Sequence, residues 1–149
     1  MCFDRQFREP LTSCRAVTQL HTPIAFFIFN RPETTRRVFE TIARARPKRL
    51  LIVADGPRAH VEGEAEKSLL ARQVVDRIDW PCDVERNFSD QNLGCGRRLS
   101  SGIAWAFERV PEAIFLEDDC VPTPGFFDFC STLLERYRDD HRKIGRAHV

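Results

Sequence analysis

The feature that most constrains the fold of this chain is a set of short, mostly apolar runs that do not alternate with polar residues. They occur at residues 23–29 (PIAFFIF), 49–54 (RLLIVA) and 113–116 (AIFL). A strand with one face in water alternates apolar and polar side chains, whereas a strand covered on both faces reads as a continuous apolar run. The three runs therefore predict buried strands of a parallel sheet, and a weaker strand is expected at residues 82–87.

Helical patterns separate these strands. After the first run, Pro32 and Glu33 are typical of a helix start. Apolar residues then recur with helical spacing in three sets: Val38, Ile42 and Ala45; Leu70, Val74 and Ile78; and Leu99, Ile103, Ala106 and Val110. The second set predicts a helix over residues 65–78, and a fourth helix is expected after residue 125. Strands that alternate with helices predict an α/β fold with a mostly parallel, doubly wound, Rossmann-like sheet and right-handed crossovers.

Composition, charge and the length of the apolar runs argue against a nucleic-acid-binding protein and against a membrane-spanning one. Of the 149 residues 42% are hydrophobic, and 23 basic against 22 acidic residues leave a net charge of +1. This length predicts one globular domain, and the near-neutral charge gives no footprint for nucleic acid. The longest apolar run is too short to span a bilayer, and the N-terminal segment lacks a signal-peptide core. We therefore expect a cytoplasmic protein without a transmembrane segment, and peripheral attachment at the inner membrane stays open.

Three consecutive carboxylates, Glu117, Asp118 and Asp119, follow the last apolar run. Two unit charges about 4 Å apart repel by roughly 4 kcal/mol at an effective dielectric constant near 20, so a compensating cation is expected. In a parallel sheet this position lies at the carboxyl edge of the strands, where ligands bind in open α/β folds. Hard carboxylate oxygens there suit Mg²⁺ or Mn²⁺. The alternative is that the three acids are solvated residues of a turn.

The loops after the other strands meet at the same edge and carry complementary chemistry. Asp55 can accept hydrogen bonds from a base or ribose, and Gly56 would let a ligand approach the backbone closely. Residues 92–98 (NLGCGRR) feed a helix N-terminus, where free N–H groups and two arginines favour an anion. This turn matches neither a P-loop nor the G-x-G-x-x-G fingerprint. Together the loops predict a site for a nucleotide diphosphate and a divalent cation.

Four stretches in order resemble the successive motifs of bacterial glycosyltransferases of the GT-A fold, near family 2 and the N-acetylglucosaminyltransferase I-like group. They are residues 22–39 (TPIAFFIFNRPETTRRVF), 50–58 (LLIVADGPR), 92–108 (NLGCGRRLSSGIAWAFE) and 113–129 (AIFLEDDCVPTPGFFDF). The resemblance extends from residue 22 to about residue 140. It implies an enzyme that uses Mn²⁺ or Mg²⁺ to transfer a sugar from a nucleotide diphosphate sugar to a hydroxyl of a glycan, a lipid-linked molecule or a protein.

The resemblance also implies roles for individual residues. Asp119 would be the metal ligand of an Asp-x-Asp-type motif, and Glu117 and Asp118 would bind the nucleotide sugar, with Asp118 at the sugar or ribose. The other implied binding residues lie in three loops and are Asn30 and Arg31, then Asp55 and Gly56, then Asn92, Gly94 and Arg97. The last three would lie near the diphosphate.

The chain departs from the family pattern after the acidic motif. Inverting members take their general base and acceptor pocket from sequence well beyond it, whereas about 30 residues follow Asp119 here. We therefore assign no base and expect residues 22–143 to be an incomplete, donor-binding domain that is inactive alone. Residues 1–21 are expected to be a disordered or over-extended tail. Residues 144–149 are expected to be non-native, because residues 143–149 can be encoded by a sequencing-library adapter read in frame.

Two other functions stay open from the sequence. A sugar-1-phosphate nucleotidyltransferase shares this kind of sheet but would carry a glycine-rich loop with Lys or Arg after the first strand. Residues 29–32 (FNRP) supply an arginine but no glycine. The second alternative is a non-catalytic module that binds a nucleotide or a cation. Turnover by a longer version of the chain would separate the two enzymes from such a module.

Overall fold

The computed structural model describes residues 19–140, which form a four-stranded, all-parallel sheet flanked by four helices. The strands are β1 (Ile24–Ile28), β2 (Arg49–Ala54), β3 (Asp83–Phe88) and β4 (Ile114–Glu117). Their spatial order is β3-β2-β1-β4. Each strand lies within one or two residues of the run that predicted it. The α/β, Rossmann-like fold class predicted from the sequence is confirmed.

The helices are α1 (Pro32–Ala45), α2 (Glu64–Val74), α3 (Cys95–Phe107) and α4 (Phe126–Arg136). One predicted boundary is wrong, since the periodic pattern extended the second helix to residue 78. The helix ends at Val74, and Val75 is fully buried in the turn that follows. Ile78 packs against the same core from beyond the helix. Ile78 therefore fits the helical spacing of Leu70 and Val74 although it lies beyond the end of α2.

Side chains of β1 alternate between two hydrophobic cores. Ile24, Phe26 and Ile28 belong to the core that includes residues of α1, α2 and α4, while Ala25 and Phe27 belong to the core beneath α3. Burying one such Ile or Phe side chain contributes about 1.5–3 kcal/mol relative to leaving it exposed. Because β1 and β2 are covered on both faces, their side chains are apolar throughout, apart from Arg49 at the start of β2. The apolar runs of the sequence are the consequence.

The strand order creates a crevice beside β1. From β1 the chain proceeds outward through β2 to β3, and then returns across the sheet to pair β4 with the other side of β1. The return crossing uses α3, which packs on the opposite face from α1 and α2. In open α/β sheets, ligands bind beyond the carboxyl ends of the strands at such a reversal. The loops that follow β1 and β4 flank this position.

Residues 19–21, assigned from the sequence to the N-terminal tail, contact the domain. The Leu20 N–H donates to the Ala45 carbonyl oxygen at 3.1 Å, and the Leu20 carbonyl oxygen accepts from the Lys48 N–H at 2.9 Å. The remainder of that predicted tail, residues 1–18, and the suspected extension, residues 144–149, lie outside the described residues. Within residues 19–140, none of the helices has the length and apolar character needed to cross a membrane.

Helix α3 packs directly on the sheet at Gly102. A Cβ atom added there would lie 2.5 Å from Cε1 of Phe27 and 2.8 Å from Cγ1 of Val53. Carbon atoms in favourable contact are about 3.5–4.0 Å apart, so any side chain at this position would push α3 away from the strands. Gly96, in the first turn of the same helix, has open space around an added Cβ.

We predict that Gly102→Ala lowers the free energy of unfolding by about 1–3 kcal/mol, although alanine is the better helix former. Gly96→Ala is the matched control, and it should stabilise the protein by up to about 1 kcal/mol because it gains helix propensity without a clash. Urea unfolding followed by circular dichroism measures both changes. Equal effects of the two substitutions would contradict the close packing of α3 on β1 and β2.

Candidate functional site

A cavity of about 550 Å³ opens at the carboxyl edge of the sheet. Seven of the residues predicted from the sequence line it, namely Asn30, Arg31, Asp55, Asn92, Gly94, Glu117 and Asp118. A larger cavity of about 710 Å³ is lined by residues 19–22, by the loop before α4 and by parts of α1 and α4, and no predicted site residue lines it. The structure therefore brings residues from four strand-end loops to one concave surface, which we call the strand-end cavity.

Asp118 ties the end of β4 to the end of β1. Its side chain is buried, and Oδ2 accepts the Phe29 N–H at 3.0 Å while Oδ1 accepts Nη1 of Arg31 at 3.3 Å. Burial raises the pKa of the Asp118 carboxyl, and the Phe29 N–H and Arg31 act against that rise. Contact with a sugar or ribose, implied by the resemblance, stays a prediction. The contacts present make Asp118 a cross-link between two loops of the site.

Glu117 and Asp119 are the exposed members of the acidic motif. Nη1 of Arg31 also binds Oδ2 of Asp119, and this hydrogen bond raises the pKa of Arg31. Within residues 19–140, no three His, Cys, Asp or Glu side chains are grouped to hold a metal ion. Mg²⁺ commonly takes only one or two protein carboxylates and completes its shell with water and phosphate oxygens. Glu117 lines the strand-end cavity, whereas Asp119 lies outside its lining. Both carboxylates are of the type that such a site uses, and metal binding by them stays a prediction.

Asp55 holds the turn that precedes α3. Its carboxylate accepts four hydrogen bonds at 2.9–3.1 Å, with the Gly56 and Leu93 N–H groups on Oδ1 and the Gly94 N–H and the Asn92 side-chain amide on Oδ2. An ionised carboxylate has about four acceptor positions, so the chain itself fills those of Asp55. The hydrogen bond from a nucleoside to Asp55 stays a prediction. The contacts present give Asp55 the role of shaping the loop beside the strand-end cavity.

Gly56 permits a close approach of the protein's own backbone. A Cβ atom added there would lie 2.5 Å from the carbonyl carbon of Gln91 and 2.7 Å from that of Asp90. Gly56 is buried beneath this loop and does not line the strand-end cavity. The neighbour that requires glycine here is the loop at residues 90–91. The approach of a ligand to Gly56, expected from the sequence, stays a prediction.

Of the two adjacent arginines at the start of α3, Arg98 lines the strand-end cavity, whereas Arg97 is exposed and lies outside the lining. Arg98 is only 7% exposed, and its Nη2 donates to the carbonyl oxygen and to Oδ1 of Asn87, the latter at 3.0 Å. Within the described part of the chain its buried Nε has no hydrogen-bond partner. Burial lowers the pKa of Arg98. The cavity therefore contains a buried cation whose donors the protein only partly satisfies.

The helical periodicity of α3 could have shown that Arg98, and not Arg97, faces the sheet. The buried residues of this helix are Arg98, Gly102 and Ala106, which are four positions apart and share one face. Arg97 is one position out of this phase.

The helix also lacks a side-chain N-cap, so the N–H groups of its first turn have no partner from a capping side chain.

Arg58 and Glu64 are two charged residues of this region that the sequence did not single out. Glu64 is buried and binds both Arg58 and the side-chain amide of Asn30. Arg58 lines the strand-end cavity. These contacts depend on the path of the irregular loop between β2 and α2, for which no periodic pattern gives a prediction.

Comparison of the chain with protein-family models, with curated proteins and with solved structures found no match. The resemblance to glycosyltransferases therefore stands on the four sequence stretches alone.

We predict that Asp55→Asn loosens the turn before α3, because asparagine offers one acceptor oxygen in place of two and turns an NH₂ group towards a donor. A buried donor left unpaired costs about 1–3 kcal/mol, so the free energy of unfolding should fall by about that amount. Hydrogen exchange of the Leu93 and Gly94 amides should become faster. Asp90→Asn, in the exposed part of the neighbouring loop, is the control. Unchanged protection of the Leu93 and Gly94 amides in Asp55→Asn would disprove this role.

Proposed function

We propose that this chain binds a nucleotide diphosphate sugar in the strand-end cavity and is the donor-binding region of a metal-dependent glycosyltransferase. The observation that carries the proposal is the meeting of basic and acidic groups in one cavity at the strand-order reversal. Arg31 and Arg98 supply positive charge there, and Glu117 supplies an exposed carboxylate beside the buried Asp118. Arginines favour phosphate groups, and carboxylates favour a divalent cation or sugar hydroxyls.

The diphosphate is expected at the N-terminus of α3. A helix N-terminus combines free N–H groups with the positive end of the macrodipole. Gly94, the residue before this helix, and Arg98 in its first turn both line the cavity. An anion there would also compensate the buried charge of Arg98. The hydrogen bonds from Leu93 and Gly94 to Asp55 keep the turn in place for this contact.

Asp119 and Glu117 are the residues that would hold Mn²⁺ or Mg²⁺. The side chain of Asp119 is 49% exposed, and that of its partner Arg31 is 53% exposed, so their ion pair is accessible to a competing cation. A divalent cation bound there supplies positive charge that stabilises a leaving diphosphate. Asp118 is already engaged by the Phe29 N–H and by Arg31, and its part is to keep the two loops together.

Sugar transfer also needs a base that removes the proton of the acceptor hydroxyl. The acids Asp128 and Glu135 lie on α4 and do not line the strand-end cavity. We therefore assign donor binding and orientation to the described residues, and we assign no general base among them.

We predict that Asp119→Ala lowers the Mn²⁺-dependent affinity for uridine diphosphate roughly tenfold or more, the scale seen when a metal site is disturbed. Asp128→Ala removes an exposed carboxylate on α4, outside the cavity, and should keep the wild-type affinity. Calorimetric titration with uridine diphosphate, in Mn²⁺ and in chelator, measures the metal-dependent part. Equal affinities of the two variants would refute the assignment of Asp119, and a wild-type protein that does not bind would refute the proposed function.

A second prediction concerns Arg31, which competes with a divalent cation for Asp119. Exposed ion pairs contribute about 0.2–1 kcal/mol, so Arg31→Gln should raise the affinity for Mn²⁺ alone by up to about fivefold. The same substitution should weaken nucleotide binding, because it removes a cation from the cavity. Electron paramagnetic resonance of free Mn²⁺ measures the first change and calorimetry the second. Arg36→Gln, on the exposed side of α1, is the control, and weaker binding of Mn²⁺ alone by Arg31→Gln would contradict the competition.

A further inference from the structure

Glu64, the first residue of α2, is a buried carboxylate that the proposed donor site does not use. Its side chain is 2% exposed. Burying a charged group is unfavourable unless the group is paired and hydrogen-bonded. The Arg58 guanidinium beside it holds the pKa of the Glu64 carboxyl at about 2, so the carboxylate is ionised at neutral pH.

Glu64 connects two loops that follow neighbouring strands. From the loop after β2, Arg58 donates its backbone N–H to Oε2 at 2.6 Å, its Nε to Oε2 at 3.0 Å and its Nη2 to Oε1 at 2.5 Å. From the loop after β1, Asn30 donates its Nδ2 to Oε1 at 2.8 Å. Arg58 and Asn30 line the strand-end cavity, whereas Glu64 does not. One buried carboxylate thus fixes two side chains of the cavity wall.

These contacts determine what the wall can offer to a ligand. A carboxylate only accepts hydrogen bonds, so the amide of Asn30 must turn its nitrogen towards Glu64, and its oxygen remains as an acceptor. Arg58 donates from Nε and Nη2 to Glu64, and its Nη1 remains as a donor. Within residues 19–140, neither Oδ1 of Asn30 nor Nη1 of Arg58 has a hydrogen-bond partner. The wall therefore presents an acceptor and a donor, both oriented by Glu64.

We propose that Glu64 is a positioning residue, which orients Asn30 and Arg58 to bind the nucleoside part of the ligand. The inference rests on the proposed function, since it takes the ligand to be a nucleoside diphosphate. A fully ionised diphosphate has only acceptors, so it cannot donate to Oδ1 of Asn30. The base and the ribose hydroxyls of a nucleoside provide both donors and acceptors, and they match this wall.

Glu64→Gln tests the proposal with little change in side-chain size. Glutamine replaces one acceptor oxygen by a donor, so Asn30 or Arg58 loses its partner and its orientation. We expect the affinity for uridine diphosphate, with Mn²⁺ present, to fall roughly tenfold, by analogy with the loss caused by changing outer-shell residues of metal sites. The affinity for inorganic pyrophosphate under the same conditions should stay unchanged. Glu66→Gln, an exposed acid in the same turn of α2, is the control for charge.

Three calorimetric outcomes would overturn the proposal: an unchanged affinity for uridine diphosphate, an equal loss for pyrophosphate, or independent effects of Glu64→Gln and Arg58→Gln. If Glu64 acts through Arg58, the double variant should lose less than the product of the two single losses. A residue with only a structural role would lower the melting temperature without this coupling. If Glu64→Gln does not fold, as judged by circular dichroism, Arg58→Gln alone must discriminate uridine diphosphate from pyrophosphate.

A measurement without ligand separates this inference from the proposed function. Nuclear magnetic resonance should show the Arg58 Nε–H and the Asn30 side-chain amide protected in the wild type and in Glu66→Gln, and that protection lost in Glu64→Gln. If the wild type does not bind uridine diphosphate, the proposed function fails and these resonances alone decide whether Glu64 orients the two side chains. Protection that persists in Glu64→Gln would overturn the positioning role.

Discussion

Coverage of β1 and β2 on both faces is the constraint from which the rest of the structure follows. These strands can carry almost no polar side chains, because α1, α2 and α4 contribute to the core on one face and α3 to the core on the other. The side of β1 away from β2 is free to pair only with a strand that returns across the sheet, and β4 takes that place. The polar and charged side chains that could bind a ligand therefore lie at the carboxyl edge, where the loops after all four strands meet.

At that edge, the buried acids accept hydrogen bonds from the chain itself and so hold its loops together. Asp55 gathers the turn before α3, Asp118 joins the ends of β4 and β1, and Glu64 joins the loops after β1 and β2. Each accepts hydrogen bonds from a segment distant in sequence, so the loops are held in place without a ligand. Preorganisation of this kind lowers the cost of ordering on binding. The carboxylates of Glu117 and Asp119 are exposed instead, and Asp119 pairs with Arg31 at the surface.

The sequence predicted the sheet because an apolar run reports burial on both faces directly, and it predicted the gathering of the loops because parallel strands end at one edge. It could not predict the partners of the polar side chains. Asp55 accepts equally well from a nucleoside or from the chain's own N–H groups, so its residue type leaves the partner open. Choosing Arg98 over Arg97 required the phase of α3 against the sheet. Arg58 and Glu64 meet across an irregular loop, whose path no periodicity describes.

Chemical-shift mapping of the ¹⁵N-labelled chain with uridine diphosphate and Mg²⁺ tests most directly whether the strand-end cavity is a nucleotide site. Saturable shifts are predicted at Asn30 and Arg31, over residues 94–98 at the start of α3, and at residues 117–119, with the last group dependent on Mg²⁺. The larger cavity, lined by residues 19–22 and by parts of α1 and α4, is the internal comparison. Shifts confined to that cavity, or no saturable shift at the strand-end loops, would contradict the nucleotide site.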